Sequence, residues 1–357
     1  MEDKFLCHII FPFREGPWGG CNQFLTALRD ELRLSGNWTD SPFMADVILF
    51  DSFNDARQVV RWKRLLPAIP FIHRVDGPIS TYRGGDRYID RLIHVLGEYI
   101  ADGVIFQSKY SMSANLCLGM PLPAQSVVIN NAANKDYFWP RPKSSSGDRI
   151  RLIAVSWSSH RNKGFDIYSH LDLHLDFTRY TMTFVGNSPV AFKNIHHVPP
   201  QDLSALAELL RDSDIYLTAS RHESCSNSLL EALACGLPAV AINSGGNPEV
   251  LASGGALFSD ASDVVTSINM VASKISTYRA AIVQRNISDV TSDYIAFFKQ
   301  VRMEALPAKR LTTWQGMVLS GYLALRRVLT GRDRILQLSA RVCLKKDVKK
   351  EKPYAPD

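Results

Sequence analysis

Short apolar runs alternate with amphipathic stretches along most of the chain. Residues 5–11 (FLCHIIF) have the character of a buried strand, and residues 22–34 repeat apolar side chains at helical spacing. Residues 86–101 are helical in pattern as well. Further strand-like runs follow at residues 47–50, 71–73, 103–106 and 126–129. Because strands alternate with helices, the pattern predicts parallel βαβ units and an α/β fold.

The pattern stops once and then restarts. Residues 140–148 (PRPKSSSGD) are rich in proline, serine and charge, as is typical of a linker. Strand-like runs resume at residues 151–156, 180–185, 215–218 and 239–242, with helical stretches at 203–211, 228–235 and 293–301. We therefore predict a first domain over 1–140, a linker over 141–148, a second domain over 149–295, and a terminal helix with a basic tail over 296–357.

Length and composition agree with this division. At about 100–200 residues per domain, 357 residues correspond to two domains. The start does not resemble a signal peptide, and no run approaches the ~20 apolar residues that span a bilayer. The six cysteines are scattered without a CxxC pair, which argues against a zinc site and favours a reducing compartment. We expect a cytoplasmic protein.

The positive charge belongs to the tail. Residues 308–352 hold 12 Lys or Arg against 3 acidic residues, a net +9, which leaves −3 for the rest of a chain of formal charge +6. The body of the protein therefore gives no indication of a nucleic-acid groove.

The most informative stretch is residues 221–236 (RHESCSNSLLEALACG), which follow a strand and open a helix. Ligands of parallel sheets bind at the carboxyl ends of strands, and a helix start favours a phosphate. Three polar residues can cap this helix or donate to an anion: Ser226, Asn227 and Ser228. Glu223 and Glu231 can accept hydrogen bonds from sugar hydroxyls beside a diphosphate. Alternatively, Ser228 and Glu231 form a capping box, and Glu231 is purely structural.

This stretch resembles the E-x7-E motif of retaining GT-B glycosyltransferases, particularly glycosyltransferase family four, with Glu223 and Glu231 at the two motif positions. Four more elements match that family in its order: residues 163–166 (KGFD), 184–187 (FVGN), 237–238 (LP) and 245–249 (GGNPE). Any one of them is a weak signal, and the ordered series is a strong one. The resemblance implies a GT-B fold, in which two Rossmann-like domains face a central cleft.

The resemblance also implies roles for individual residues. Glu223 is expected to bind hydroxyls of the donor sugar, and Glu231 those of the ribose. Lys163 is expected to neutralise the departing diphosphate, where a placed cation stabilises the transition state most. The remaining donor-binding residues are Gly186, Asn187, Arg161 and the three polar residues at the helix start. No metal or other cofactor is expected, since the co-substrate is a nucleoside-diphosphate sugar.

One position departs from the family. A second basic residue usually precedes the lysine by five positions, and Ser158 stands there in this sequence. Arg161 or His160 can supply the charge from a shifted loop. Alternatively, Arg161 is a solvated loop residue and catalysis is weakened.

The first domain resembles the family less closely. Its glycine loop ends in Gly19, Gly20 and Asn22, which are expected to border the acceptor unless the loop is a simple turn. His73, at the end of a predicted strand, matches the family's cleft histidine and is expected to contact the donor sugar and the reacting centre. Arg74 and Asp76 are expected to contact acceptor or sugar, or else to pair with each other.

The tail combines basic residues with an apolar pattern. Residues 314–329 are compatible with an amphipathic helix, and Lys345, Lys346, Lys349 and Lys350 follow it. Residues 308–350 can therefore dock on an anionic membrane surface, which suits a lipid-linked acceptor. The alternative is a helix on the protein body with a disordered charged end.

These observations predict a hexosyltransferase-type enzyme that moves a sugar from its nucleotide to a glycan or lipid-linked acceptor. By family analogy it serves cell-surface polysaccharide or glycolipid synthesis at the inner face of the membrane. A rival prediction is a non-catalytic GT-B protein that binds a glycan or a protein partner. A nicotinamide dehydrogenase is disfavoured, because no strand is followed by G-x-G-x-x-G with an acidic residue about 20 positions on.

Overall fold

The computed structural model describes residues 5–16, 19–142, 148–283, 285–304, 309–326 and 328–329. Contacts between residues divide the chain into two compact units, Met1–Arg310 and Leu311–Asp357. The first unit contains two parallel sheets with helices on their faces, as the alternating pattern predicts.

The first sheet is five-stranded, with all neighbours parallel, in the order β1-β2-β3-β4-β5. Its strands are β1 (Cys7–Ile10), β2 (Val47–Asp51), β3 (Phe71–Val75), β4 (Gly103–Phe106) and β5 (Ser126–Val128). Its helices are α1 (Gly20–Leu34), α2 (Ala56–Leu65), α3 (Ile79–Arg83), α4 (Arg87–Tyr99) and α5 (Lys109–Cys117).

The chain changes direction across this sheet at β1. Cys7 forms a parallel bridge with Trp38, in which its N–H donates to Asn37 O and its carbonyl accepts from Thr39 N. β2 pairs with the opposite edge of β1. The chain therefore returns from α1 on one side of β1 and continues on the other. A crevice forms at the carboxyl ends of strands wherever such a reversal occurs.

The second sheet has six parallel strands in the order β11-β10-β9-β6-β7-β8. The strands are β6 (Ile150–Ser156), β7 (Tyr180–Gly186), β8 (His196–Val198), β9 (Ile215–Thr218), β10 (Ala239–Ile242) and β11 (Gly255–Phe258). The helices are α6 (Phe165–His174), α7 (Leu203–Asp212), α8 (Asn227–Ala234), α9 (Asn247–Leu251), α10 (Val264–Ser273) and α11 (Ile275–Ala280). Here the strand order reverses between β6 and β9, so the loops after these two strands border the crevice.

The last helix of the unit returns to the first sheet. It is α12 (Ile287–Met303), which begins six residues before the predicted start at residue 293. Its apolar face joins the core of the first domain, where the ring of Tyr294 lies 6.0 Å from that of Phe24. Full burial of one such side chain stabilises by about 1.5–3 kcal/mol, so α12 is a major part of that core. The predicted boundary at residue 295 falls inside this helix.

The second unit contains a helix over residues 313–326, within the predicted amphipathic segment. Thr312 and Gln315 cap its start reciprocally: the Thr312 N–H donates to Gln315 Oε1 (2.9 Å) and the Gln315 N–H to Thr312 Oγ1 (3.2 Å). The four lysines predicted to follow it lie outside the described residues. Among the described residues, none of the helices combines the length and hydrophobicity needed to cross a bilayer.

Candidate functional site

A cavity of about 320 Å³ lies between the carboxyl ends of the two sheets, inside the unit Met1–Arg310. Loops after β3, β6 and β9 and the starts of α1 and α8 form its walls. Ten of the fifteen residues selected from the sequence line it: Gly19, Gly20, Asp76, Lys163, Gly186, Glu223, Ser226, Asn227, Ser228 and Glu231.

An ion pair between Lys163 and Glu223 stands at the centre of the second-domain wall. Gly164 follows the lysine with φ +78°, and a Cβ there would overlap the backbone of Ala219, so the turn into α6 requires glycine. The two charged side chains are only 17% and 19% exposed. Burial is the largest single influence and would lower the pKa of Lys163, but the interactions with the Glu223 carboxylate and with Tyr82 together outweigh it and raise that pKa. The cavity therefore holds a fixed ammonium group at neutral pH.

The ring of Tyr82, a residue that follows β3 in the first domain, covers the ammonium group of the Lys163–Glu223 ion pair. Lys163 Nζ lies 5.5 Å from the centroid of the Tyr82 ring, and the ring of His160 stacks on the same tyrosine at 5.3 Å. Asn162 Nδ2 donates to the Tyr82 carbonyl. The basic turn of the second domain is thus held against the first domain.

The start of α8 faces the cavity with polar groups. Ser226 is the N-cap, and its Oγ accepts from the Leu229 N–H at 3.4 Å. Ser228 Oγ accepts from the Tyr216 hydroxyl (2.9 Å), and Asn227 Oδ1 accepts from Asn131 Nδ2 (2.9 Å). Because the cap is Ser226, the capping box that would pair Ser228 with Glu231 is not the one that begins this helix.

Glu231 lies one turn inside α8 and forms part of the cavity wall. It is 8% exposed, and burial raises the pKa of its carboxyl group to about 8. Within the described part of the chain, no hydrogen bond reaches this carboxyl group. A buried carboxyl group with free acceptors at a cavity is suited to bind the hydroxyls of a ligand.

Gly186 and Asn187 end β7 beside the cavity. Gly186 has φ +123°, and a Cβ there would overlap the Ser156 carbonyl, so the backbone comes close to the neighbouring strand end. Asn187 does not line the main cavity. Its Nδ2 donates to the Trp157 carbonyl at 2.6 Å, and its side chain borders a separate shallow hollow with Ser158.

Glycines of the first domain bring α1 against α8. A Cβ on Gly20 would overlap the side chain of Asn227, so the two helix starts meet across the cavity. Asn22 serves the loop before α1: its Oδ1 accepts from the Arg14 N–H and its Nδ2 donates to the Arg14 carbonyl, both at 3.0 Å. Asn22 therefore orders the glycine loop and does not line the cavity.

The strand that carries His73 and Arg74 is longer than predicted. β3 continues to Val75, so both residues lie within the strand and are fully buried. His73 Nε2 lies 2.9 Å from the Ser52 carbonyl, its ring stacks on Phe50 at 4.3 Å, and burial lowers its pKa to about 4. In this structure neither residue lines the cavity as the sequence suggested.

Arg74 instead forms a buried ion pair with Asp51, and both side chains are fully buried. Its Nη2 donates to Asn131 Oδ1 at 2.7 Å, and Asn131 in turn donates to Asn227 at the start of α8. Arg74 therefore links the core of the first domain to the start of α8 in the second domain through one amide.

Asp76 is the residue that the end of β3 presents to the cavity. Its side chain is 27% exposed, and its Oδ1 lies 3.4 Å from Arg74 Nη1. Burial and the neighbouring carboxylate of Asp51 raise the pKa of Asp76 to about 7. Asp76, Asp51 and Cys21 bring three ligand atoms within 4.8 Å of one another. Arg74 Nη1 contacts all three residues, so a guanidinium supplies the positive charge of this cluster.

Arg161 is exposed, and its guanidinium lies against Gly84 of the first domain instead of lining the cavity. Ser158 Oγ accepts from the His160 N–H at 3.2 Å and so orders the loop. Sequence reasoning missed several cavity residues, among them Tyr82, Arg83 and Trp157. The first two come just after the HRVDGP segment, and their positions depend on how the domains meet.

The loop over residues 245–249 contacts the backbone of Glu223. The Gly246 N–H donates to the Glu223 carbonyl at 2.7 Å, and Gly245 packs on the backbone of Glu223. The Glu249 carboxylate accepts from the Lys109 N–H (2.9 Å) at the start of α5. The loop therefore fixes Glu223 and joins the second domain to the first.

Comparisons with known proteins agree with this arrangement. The family model described as Glycosyl transferases group 1 matches residues 173–274. No curated protein matches the chain. Among solved structures, the chain is similar to sucrose-phosphate synthase from Thermosynechococcus elongatus, with a TM-score of 0.66, 14% identity, and coverage of 85% of this chain and 100% of that one.

Two further structures are similar over the same extent. A glycosyltransferase from Rickettsia africae has a TM-score of 0.63 and 13% identity, with 84% of this chain and 99% of that chain covered. HepE of Anabaena, solved in complex with UDP-glucose, has a TM-score of 0.59 and 16% identity, with 84% and 98% covered. The chain has the GT-B fold, and its second domain contains a segment that matches the Glycosyl transferases group 1 family.

Proposed function

We propose that this protein is a retaining glycosyltransferase that moves a sugar from a nucleoside-diphosphate sugar to a glycan or lipid-linked acceptor. The observation that carries the proposal is the Lys163–Glu223 ion pair, which faces the cavity near the polar start of α8. A cation and a helix N-terminus match the diphosphate of a nucleotide sugar, which is also the leaving group, and a carboxylate matches the sugar hydroxyls.

Binding of the donor is proposed to separate the ion pair between Lys163 and Glu223, so that each of the two side chains contacts the donor instead. The diphosphate takes the ammonium of Lys163 and the N–H and hydroxyl groups at the start of α8. Glu223 then accepts hydrogen bonds from the sugar hydroxyls, and Glu231 accepts from the ribose. Negative charge builds on the diphosphate as the glycosidic bond breaks, so Lys163 stabilises the transition state more than the ground state.

The acceptor is proposed to approach from the first-domain wall. Its hydroxyl attacks the sugar from the face that the diphosphate leaves, and the diphosphate takes the hydroxyl proton, while Asp76 accepts a hydrogen bond from a neighbouring hydroxyl of the acceptor. Gly19 and Gly20 line the same cavity as Asp76 and present backbone to the acceptor there. A lipid-linked acceptor and membrane contact through residues 308–350 are part of the proposal, as is a role in cell-surface polysaccharide or glycolipid synthesis.

The rival function is a non-catalytic GT-B protein that binds a glycan or a protein partner without sugar transfer. Ser158 favours it, because the position where the family usually has a basic residue is neutral and Arg161 does not line the cavity. The two functions differ in turnover: a binding protein does not cleave the bond between sugar and diphosphate.

The first test is calorimetric titration with UDP, GDP and ADP. We expect one of them to bind, and its 2′,3′-dideoxy analogue to bind about tenfold more weakly, because Glu231 loses its ribose partners. Replacement of Glu231 with leucine should weaken the parent nucleotide and abolish the difference between nucleotide and analogue. Absence of binding to a folded sample at millimolar nucleotide would reject the donor site.

A pH profile tests Asp76. The release of sugar from the bound donor into water is expected to slow as pH falls through about 7, because the protonated carboxyl group of Asp76 no longer accepts a hydrogen bond from the attacking water molecule, whose other proton goes to the diphosphate. The slope should approach tenfold per pH unit. Asp76→Asn should be slow at every pH and lack this limb. Persistence of the limb in that variant would assign it to another group.

A further inference from the structure

The walls of the cavity are poor in positive charge for a site that binds a diphosphate. Three carboxyl groups line it: Asp76, Glu223 and Glu231. Among the described residues, the Lys and Arg side chains that line it are Lys163 and Arg83. The positive charge of Lys163 is already paired with the carboxylate of Glu223. A nucleoside diphosphate therefore requires a second cation if its charge is to be balanced.

The candidates from the second domain do not reach the cavity. Ser158 is neutral and hydrogen-bonds to the loop backbone. The ring of His160 stacks on Tyr82, and the guanidinium of Arg161 lies against Gly84. These contacts place all three outside the wall that Lys163 occupies.

Arg83 is differently placed. It is the last residue of α3, in the first domain, and it lines the cavity. Its neighbour Tyr82 covers Lys163, and the two cations that line the cavity come from opposite domains. No hydrogen bond or ion pair joins the Arg83 guanidinium to any other described residue, so its donors are available to a ligand.

We propose that Arg83 binds the diphosphate of the donor and replaces, from the opposite domain, the basic residue that Ser158 lacks. This proposal rests on the proposed function. A guanidinium can hold two phosphate oxygens at once, and its charge does not titrate near neutral pH. Because Lys163 and Arg83 belong to different domains, the diphosphate bridges the domains and stabilises their closed arrangement.

The test compares Arg83→Ala, Arg83→Lys and Arg161→Ala by calorimetry with the nucleoside diphosphate that binds the wild type and with its parent nucleoside. Arg87→Ala is the matched control, since Arg87 is exposed nearby and does not line the cavity. We expect Arg83→Ala to weaken the diphosphate about 10- to 100-fold, leave the nucleoside unchanged and flatten the salt dependence. Arg83→Lys should recover part of the loss.

Three outcomes would overturn the proposal. Equal affinity of Arg83→Ala and Arg87→Ala for the diphosphate would show that Arg83 has no part in binding. Loss in Arg161→Ala alone would assign the charge to Arg161. An equal loss for nucleoside and diphosphate in Arg83→Ala would indicate a structural effect. A wild type that binds no nucleoside diphosphate would instead reject the proposed function itself.

Discussion

Replacement of Lys163 with alanine is expected to lower the rate constant for cleavage of the donor by about 10²–10³-fold. The ammonium is held in place by its ion pair with Glu223, and both side chains are largely buried, so it requires little reorganisation when charge develops on the diphosphate. The measurement is nucleotide release from the sugar nucleotide under saturating donor. Lys193→Ala, which removes an exposed lysine of the same domain, is the control and should not change the rate.

A double variant distinguishes two effects of Lys163→Ala: the loss of the ammonium group, and the loss of the ion-pair partner of Glu223. Lys163→Ala leaves the Glu223 carboxylate without its ion pair, and an unpaired, half-buried carboxylate repels the diphosphate. Lys163→Ala combined with Glu223→Gln removes that repulsion. Nucleotide affinity should therefore recover partly in the double variant, whereas turnover should not. Turnover of Lys163→Ala within threefold of wild type would remove Lys163 from the mechanism.

Arg74→Met is expected to lower the free energy of unfolding by about 3–5 kcal/mol, the largest effect on stability among the changes considered. The substitution leaves Asp51 as a fully buried carboxylate without its cation, and Asn131 without a donor. Urea unfolding followed by circular dichroism measures the change. The matched control is Arg33→Met, whose ion pair with Asp40 is exposed and is expected to contribute at most about 1 kcal/mol.

The pair can be tested directly by adding Asp51→Asn. Removal of the buried charge should restore part of the stability lost in Arg74→Met, so the two changes together should cost less than their sum. Strict additivity would mean that Arg74 stabilises the domain through its packing on Phe24 and not through Asp51.

Local patterns were sufficient for much of the fold. The apolar runs that predicted strands coincide with β2, β4, β5, β9 and β10 to within a residue, because each is a short apolar segment between polar turns. The end of β3 was wrong by two residues. Arg74 is charged, and a charged residue signals a strand end unless a buried partner such as Asp51 is known. Asp51 is 23 residues from Arg74 in the sequence. Because β3 was predicted to end at His73, the prediction placed His73 at the cavity, where the structure has Asp76.

The candidate site was also predictable only in part from the sequence. Residues on one strand-to-helix connection, such as Glu223 and Glu231, were predicted to share a site from their positions around one helix start together with the resemblance to the E-x7-E motif. Arg83 could not, because its position depends on the contact between domains that Tyr82 makes with the turn of Lys163. α12 was located approximately, but nothing local indicates that its apolar face belongs to a sheet about 200 residues earlier in the chain.

Because α12 packs on the first sheet, the two domains are expected to complete their folding during synthesis in the reverse of the usual order. Domains generally fold as the ribosome releases them, with the N-terminal one first. Here the first domain lacks Tyr294, Phe298 and Val301 from its core until synthesis has passed Val301, after the whole second sheet has been made. The second sheet, by contrast, is complete at Phe258. The second domain can therefore finish folding while the first still exposes apolar surface, and a fragment that ends before α12 should be prone to aggregate.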